Sequence, residues 1–322
     1  MKDDAARGNG PTPSPSRKRE GDPSRAALVA QARETIVKGS QSFAMASKIF
    51  DRETRERVWL LYAWCRRCDD LADGQALGHD MTEVADPQAR LEEIRSKTDA
   101  ALAGETTGDN CFDALAVVAN ECGIPRDYID DHIAGFALDA DGWVPESEED
   151  LLRYCYHVAG IVGMMMAIVM DVAPDDEATL NRAKDLGLAF QLANIARDIG
   201  EDAANGRCYL PRDWLAEKDI DPDNPIDPAH RPALAALAGR LAEMAGKYEE
   251  SARRGTPELP FRSAWAVLAA AGIYGDIARK VAASGEAALD KRVFTTRREK
   301  FRWLRRGFQQ ARNRHRLYGD PR

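Results

Sequence analysis

The chain has 322 residues, 44% of them hydrophobic and 30% charged, which suits a globular protein with one large core or two small ones. A net charge of −8 argues against a nucleic-acid binder taken as a whole. The longest uncharged apolar run, Val158 to Met170, falls short of the ~20 residues of a membrane-spanning helix, so a buried helix is expected there.

In chain order, residues 1–25 come first, with Pro11, Pro13, Pro15 and Pro23 among Gly, Ser and Arg. They lack the apolar stretch of a secretory signal and read as a disordered tail. From Ala26 the periodicity predicts helices over 26–37, 53–76, 87–103, 111–121, 125–138, 148–171, 176–203, 228–253, 260–284 and 296–317. Nothing reads as a run of strands, so one all-α domain over 26–317 is expected. Pro87 and Pro125 suit first helical turns. Ser147 with Asp150 suits a capping box, and Asp175 and Asp176 suit a helix N-terminus. Pro222, Pro225, Pro228 and Pro232 mark an irregular connector over 219–232. The six cysteines are scattered, and Cys65-x-x-Cys68 lacks the second pair of a zinc site. A reducing, cytoplasmic setting fits.

Two acidic clusters carry the most information: Asp69-Asp70-Leu71-Ala72-Asp73 and Asp198-Ile199-Gly200-Glu201-Asp202. Asp69 and Asp73, and likewise Asp198 and Asp202, are four apart, so on a helix each pair shares a face at about 5–6 Å between Cβ atoms. At an effective dielectric of ~20 such a pair repels by roughly 3 kcal/mol unless a cation sits between. Mg²⁺ takes one or two carboxylates and completes its shell with water and phosphate oxygens. One such pair alone is ordinarily a solvated surface. Here both lie beside apolar segments, Val58–Cys65 and Leu186–Ile195, and both follow arginines, Arg66 and Arg67 in one case and Arg197 in the other.

The neighbours extend both faces. Tyr62, Arg66 and Asp69 fall in line, and an arginine there can grip a diphosphate oxygen bidentately. Gln191, Asn194, Asp198 and Asp202 step by three and four along the second face. Arg207 and Arg212 follow as candidates for the leaving group. Ser40 and Ser42, within Gly39–Ala44 just before a helix, offer hydroxyls to phosphate.

In the middle helix Gly160 and Gly163 each cost about 1 kcal/mol relative to Ala. Close helix packing or room for a bulky ligand would offset that. With Tyr154 and Tyr156, these small apolar residues would line a hydrocarbon tunnel; His157 reads as structural. At the C-terminus, Lys291–Arg316 holds eleven Lys or Arg against one acid, Glu299. Phe301, Leu304, Phe308 and Ala311 repeat at helical steps. This basic amphipathic segment, 291–316, suits an anionic membrane surface, docking on the body, or both.

Taken together, Gly39–Ala44, Leu61–Asp73, Tyr154–Gly163, Gln191–Asp202, Arg207–Pro211 and Arg292–Lys300 resemble the squalene/phytoene synthase family, most closely its bacterial phytoene synthases. The resemblance spans nearly all of residues 35–310. Gln41 departs from it, standing where Lys is frequent in Ser-x-Ser-Phe.

The resemblance implies an all-α isoprenoid synthase fold with a central cavity. It implies head-to-head condensation of two geranylgeranyl diphosphates, through prephytoene diphosphate, to 15-cis-phytoene, the first committed step of carotenoid formation. Asp69, Asp73, Asn194, Asp198 and Asp202 are then the metal set for Mg²⁺, with Mn²⁺ substituting. Ser40, Ser42, Tyr62, Arg66, Gln191, Asn194, Arg197, Arg207 and Tyr274 are the substrate set. Tyr62 and Tyr154 join the four metal-face aspartates as catalytic residues, with Tyr274 a further candidate for steadying cations.

Asp70 and Glu201 are expected to support the ligands. NADPH is not expected. Implied partners are a membrane surface for product delivery, peripheral at most, and a downstream carotenoid desaturase. The alternative is a squalene or dehydrosqualene synthase acting on farnesyl diphosphate. A head-to-tail elongase fits less well, because Gly74-Gln75-Ala76-Leu77-Gly78 after Asp73 holds no paired arginines. A non-enzymatic relative would tend to lose the aspartates.

Overall fold

Ser24 starts the first helix, its hydroxyl accepting the Ala27 N–H at 3.2 Å and satisfying a donor that the helix cannot. The computed structural model describes residues 23–74, 85–222 and 224–319, and among these every regular element is helical. Arg25, expected in the tail, instead opens α1 (Arg25–Gly39) and pairs with Glu56 at 2.6 Å and Glu121 at 2.5 Å. The rest of the expected tail, 1–22, lies outside the described residues.

After α1 come α2 (Gln41–Ser47), α3 (Arg52–Asp73), α4 (Pro87–Leu102), α5 (Asn110–Cys122), α6 (Arg126–Ala140) and α7 (Glu148–Cys155). A π-helical turn, Tyr156–Gly160, leads into α8 (Ile161–Val169). Then follow α9 (Glu177–Ala204), α10 (Arg212–Glu217), α11 (Arg231–Arg253), α12 (Phe261–Ser284), α13 (Arg297–Arg312) and α14 (Arg314–Tyr318). Asp51 caps α3, and Gly74 ends it at φ 62°, a left-handed position that glycine adopts without strain. Ser147 and Asp150 make the expected capping box on α7. The last residues of the helix expected over 53–76 lie outside the described set.

Four elements differ from expectation, one of them the helix expected over 296–317, which breaks at Asn313 into α13 and α14. Residues 39–44 do not precede a helix but begin one: Ser40 caps α2 through the Phe43 N–H, 3.2 Å. The short α10 falls where no long periodicity announces it. The helix expected over 148–171 is interrupted by the π turn, where the His157 carbonyl meets His132 Nδ1 at 3.1 Å. His157 Nδ1 in turn meets the Asp131 carbonyl at 2.8 Å, as a structural histidine should.

The middle glycines serve packing. A Cβ on Gly163 would lie 2.3 Å from the Ala183 carbonyl oxygen, and one on Gly187 would lie 2.1 Å from that of Ala159. The helical run 156–169 and α9 thus touch backbone to backbone, and close approach, rather than a tunnel wall, offsets the cost of these glycines. The run Glu148–Val169 is long and apolar enough to cross a membrane by length and composition. Its Leu151 and Cys155 belong to one apolar cluster of the bundle and its Met165 to the other, and 44% of the apolar window is buried.

Two apolar clusters build the interior. One joins α1, α3, α5, α6 and α8 around Trp64, Phe112 and Met165. The other joins α9, α10 and α11 around Leu192, Trp214 and Leu241. α3 belongs to the first and the C-terminal half of α9 to the second, so the two acidic faces emerge from different cores. All six cysteines are free.

Candidate active site

The 3.6-residue period sets which side chains each core releases. On α3, Leu60, Leu61, Ala63, Trp64, Cys68 and Leu71 are buried, leaving Tyr62, Arg66, Asp69 and Asp73 half-exposed on one face. On α9, Leu192, Ala193, Ile195, Ala196 and Ile199 are buried, leaving Gln191, Asn194, Arg197, Asp198 and Asp202 half-exposed.

Arg207 ties the faces together. Its backbone N–H donates to the Asp202 carbonyl at 2.8 Å, and its guanidinium donates to Asp73 at 2.7 Å. One residue therefore spans from the end of α9 to the end of α3. Arg66 pairs with Asp69 at 3.1 Å and with Asp70 at 3.2 Å. Arg197 Nε donates to Asp198 at 2.7 Å. Arg212, the other leaving-group candidate, instead pairs with Glu146 at 3.5 Å, away from both faces.

The electrostatics follow from this crowding. Loss of hydration raises Asp69 to about 7; Asp73, Asp70 and Asp139 push the same way, against Arg66. Burial also raises Asp202 to about 7, with Asp198 adding repulsion and Arg207 opposing it. Burial holds the Tyr62 and Tyr154 hydroxyls well above the phenol range and raises Tyr274 to about 12. These phenols stay protonated and can only donate or share a proton.

The structure adds residues that periodicity did not single out. Asp139, at the end of α6, accepts from Tyr154 Oη at 3.1 Å and from Tyr209 Oη at 3.3 Å. Tyr154 is sandwiched by Trp143 and Tyr209, with ring centroids 5.7 and 4.9 Å away. Burial and Asp73 raise Asp139 to about 6, against Arg207. Arg292, within a motif already noted, pairs with Asp198 and Glu201, each at 3.2 Å. Phe43 and Phe190 stack on Tyr274 at 5.5 and 4.1 Å, and Phe43 also meets Tyr62 at 6.1 Å. Gly39 makes room here, since a Cβ would lie 2.6 Å from Tyr62 Oη. Arg292, Tyr209, Phe43 and Gly39 lie within motif segments that the sequence already marked, whereas Asp139, Trp143 and Phe190 lie outside them.

Ser42 lines a cleft of about 360 Å³ with Arg197, Tyr274, Phe294, Arg297 and Lys300. Ser40 is committed to its cap through one lone pair, which leaves its O–H free to donate.

Among the described residues, no three His, Cys, Asp or Glu side chains stand close enough together to hold a metal ion. Arginines occupy the carboxylates instead. The donor set still fits a divalent cation. Carboxylates outnumber guanidiniums around the two faces, and Asp69 and Asp202 are pushed toward protonation by burial first and by their like-charged neighbours second. A hard, oxygen-seeking cation would relieve that repulsion.

A bundle of helices presenting two acidic faces to each other defines an all-α isoprenoid synthase. The family model described as squalene/phytoene synthase matches residues 36–299, and the chain belongs to that family. It is 47% identical over 279 residues to the 15-cis-phytoene synthase of Pantoea ananas, covering 86% of this chain and 90% of that one. It is 48% identical over 268 residues to the 15-cis-phytoene synthase of Enterobacter agglomerans, covering 83% and 90%. Among solved structures, a ligand-bound dehydrosqualene synthase superposes with a TM-score of 0.79 at 27% identity, covering 90% of this chain and 98% of that one. The family is one of metal-dependent prenyltransferases acting on prenyl diphosphates.

Proposed function

We propose that this chain is a 15-cis-phytoene synthase joining two geranylgeranyl diphosphates head to head. The observation that carries the reading is Arg207, just past the end of α9, whose guanidinium bonds the Asp73 carboxylate on α3 and whose charge also favours the ionised Asp202 carboxylate. The choice of a C20 substrate leans on the identity with enzymes named phytoene synthase.

Asp69, Asp73, Asp198 and Asp202, with the Asn194 amide oxygen, are the groups that would hold Mg²⁺. When bound, the metal supplies Lewis-acid stabilisation of a departing diphosphate. Arg66, Arg197, Arg207 and Arg292 neutralise these acids in the free protein. The same guanidiniums are placed to turn their donors onto diphosphate oxygens. Ser42, Arg197 and Lys300 line a cleft of suitable chemistry for one diphosphate. The π-faces of Phe43, Phe190 and Tyr274 lie beside it and would steady an allylic cation.

Loss of diphosphate from one substrate leaves that cation, which the double bond of the second attacks. Proton loss closes the cyclopropane of prephytoene diphosphate, and a second ionisation, rearrangement and proton loss give phytoene. The Tyr154–Asp139–Tyr209 cluster offers a proton path out of the site. Water must be kept away, because it would quench each cation.

The likeness to a dehydrosqualene synthase favours a second reading, in which the substrate is the C15 farnesyl diphosphate. Purified protein incubated with C15 and with C20 diphosphates, with Mg²⁺ or a chelator, and with or without NADPH, separates the two. Phytoene from the C20 substrate, made without reductant and abolished by the chelator, is expected. Squalene or dehydrosqualene as the main product overturns the chain length; no hydrocarbon from either substrate overturns the reaction.

A further inference from the structure

We infer that the outer face of α13 docks on an anionic lipid bilayer and sets the mouth of the cleft against it. Trp303, Gly307 and Ala311 turn inward, and Trp303 Nε1 donates to Asp276 on α12. Phe308 packs edge-on to Phe261 and Trp265 at 5.6 and 5.1 Å. That uses up the inner stripe and leaves Phe301 outside it, 65% exposed.

Arg298, Arg302 and Arg305 share its outward face at steps of three and four, and none forms an ion pair among the described residues. Phe294, just before the helix, is 67% exposed. A cationic face with projecting phenylalanines, on a chain of net −8, complements an anionic interface rather than another copy of this acidic protein. Arginine stems lie along the acyl boundary while their heads reach phosphate, and the rings enter the boundary itself.

The position of this face gives it a function. Phe294, Arg297 and Lys300 line the same ~360 Å³ cleft as Ser42, Arg197 and Tyr274. This part of the inference rests on the prenyl-diphosphate reading: a long-chain substrate would pass from bilayer to cleft, and the hydrocarbon back, without crossing water.

The test is co-sedimentation with phosphatidylcholine vesicles, with and without phosphatidylglycerol. Wild type is expected to bind only the phosphatidylglycerol vesicles and to be released by high salt. Each basic residue at such a surface is worth about fivefold in affinity, so Arg298→Glu/Arg302→Glu/Arg305→Glu is expected to weaken binding on the order of a hundredfold or more. Phe301→Ser should weaken it with the charges intact. Turnover in detergent should be unchanged in both variants.

Equal binding of wild type to neutral vesicles, wild-type binding by the triple variant, or lipid-free self-association through this face overturns the inference. Vesicle binding with no hydrocarbon formed in detergent would sink the proposed reaction and leave the docking surface standing.

Discussion

Arg207 combines two tasks that pull in opposite directions. Its guanidinium occupies Asp73 in the free protein, and the same group is placed to receive diphosphate. Arg207→Ala therefore removes both a competitor for the metal and a clamp for the leaving group. Turnover is expected to fall on the order of a hundredfold, the usual scale for losing one preorganised donor. The Mg²⁺ concentration for half-maximal activity should stay level or drop; a rise would recast Arg207 as support for the metal site.

Asp202 permits a pH test in the metal-free protein. Its folded value, about 7, lies above the ordinary aspartate value near 3.9, so the folded chain binds this proton more tightly between them. Its contribution to stability is complete below pH ~4 and is lost as pH rises through ~7. Asp202→Asn should thus raise Tm at pH 8, on the order of 2 °C, and leave it unchanged at pH 4. A gain of equal size at both values would show that ionisation of Asp202 is not what the substitution relieves.

At the scale of elements, the contact between the helical run 156–169 and α9 holds the second acidic face in place. Gly187→Ala would drive a methyl into the Ala159 carbonyl and should cost roughly 3 kcal/mol in chemical unfolding, with Gln191 and Asn194 displaced along α9. Gly239→Ala on α11 is the counterpart. Nothing lies within 4 Å of its added Cβ, so better helix propensity should stabilise by up to about 1 kcal/mol. Similar outcomes at both positions would deny that α9 is held by backbone contact. Capping predicted α7 well, because Ser147 and Asp150 are three residues apart and need no distant partner. The π turn was invisible in the sequence, since the partner of its His157 carbonyl, His132, lies on another helix.

For the whole molecule, two cores separated by acidic faces make the relation between α3 and α9 the quantity on which activity depends. The N-terminus contributes through α1. Deleting residues 1–22 is expected to leave turnover intact, whereas deleting 1–25 also removes the Ser24 cap and the Arg25 pairs with Glu56 and Glu121. The larger deletion should lower stability by about 1–2 kcal/mol in thermal or urea unfolding. Equal stability of the two truncations would show that α1 frays without consequence.

Helical class, most element positions and both acidic faces could be read from the chain alone, because they depend on periods of three and four residues and on local caps. Membership of Tyr62, Arg66, Asp69 and Asp73 on one face, and of Gln191, Asn194, Asp198 and Asp202 on another, follows from the same arithmetic. Tertiary structure decided what each face meets. Arg207 rather than Arg212 joins the clusters, Asp139 gathers two tyrosines, Arg292 reaches back to Asp198, and α13 buries Trp303 while leaving Phe301 in solvent. Periodicity can place side chains on a common face, but the partner of that face is set by the packing of residues far apart in the chain.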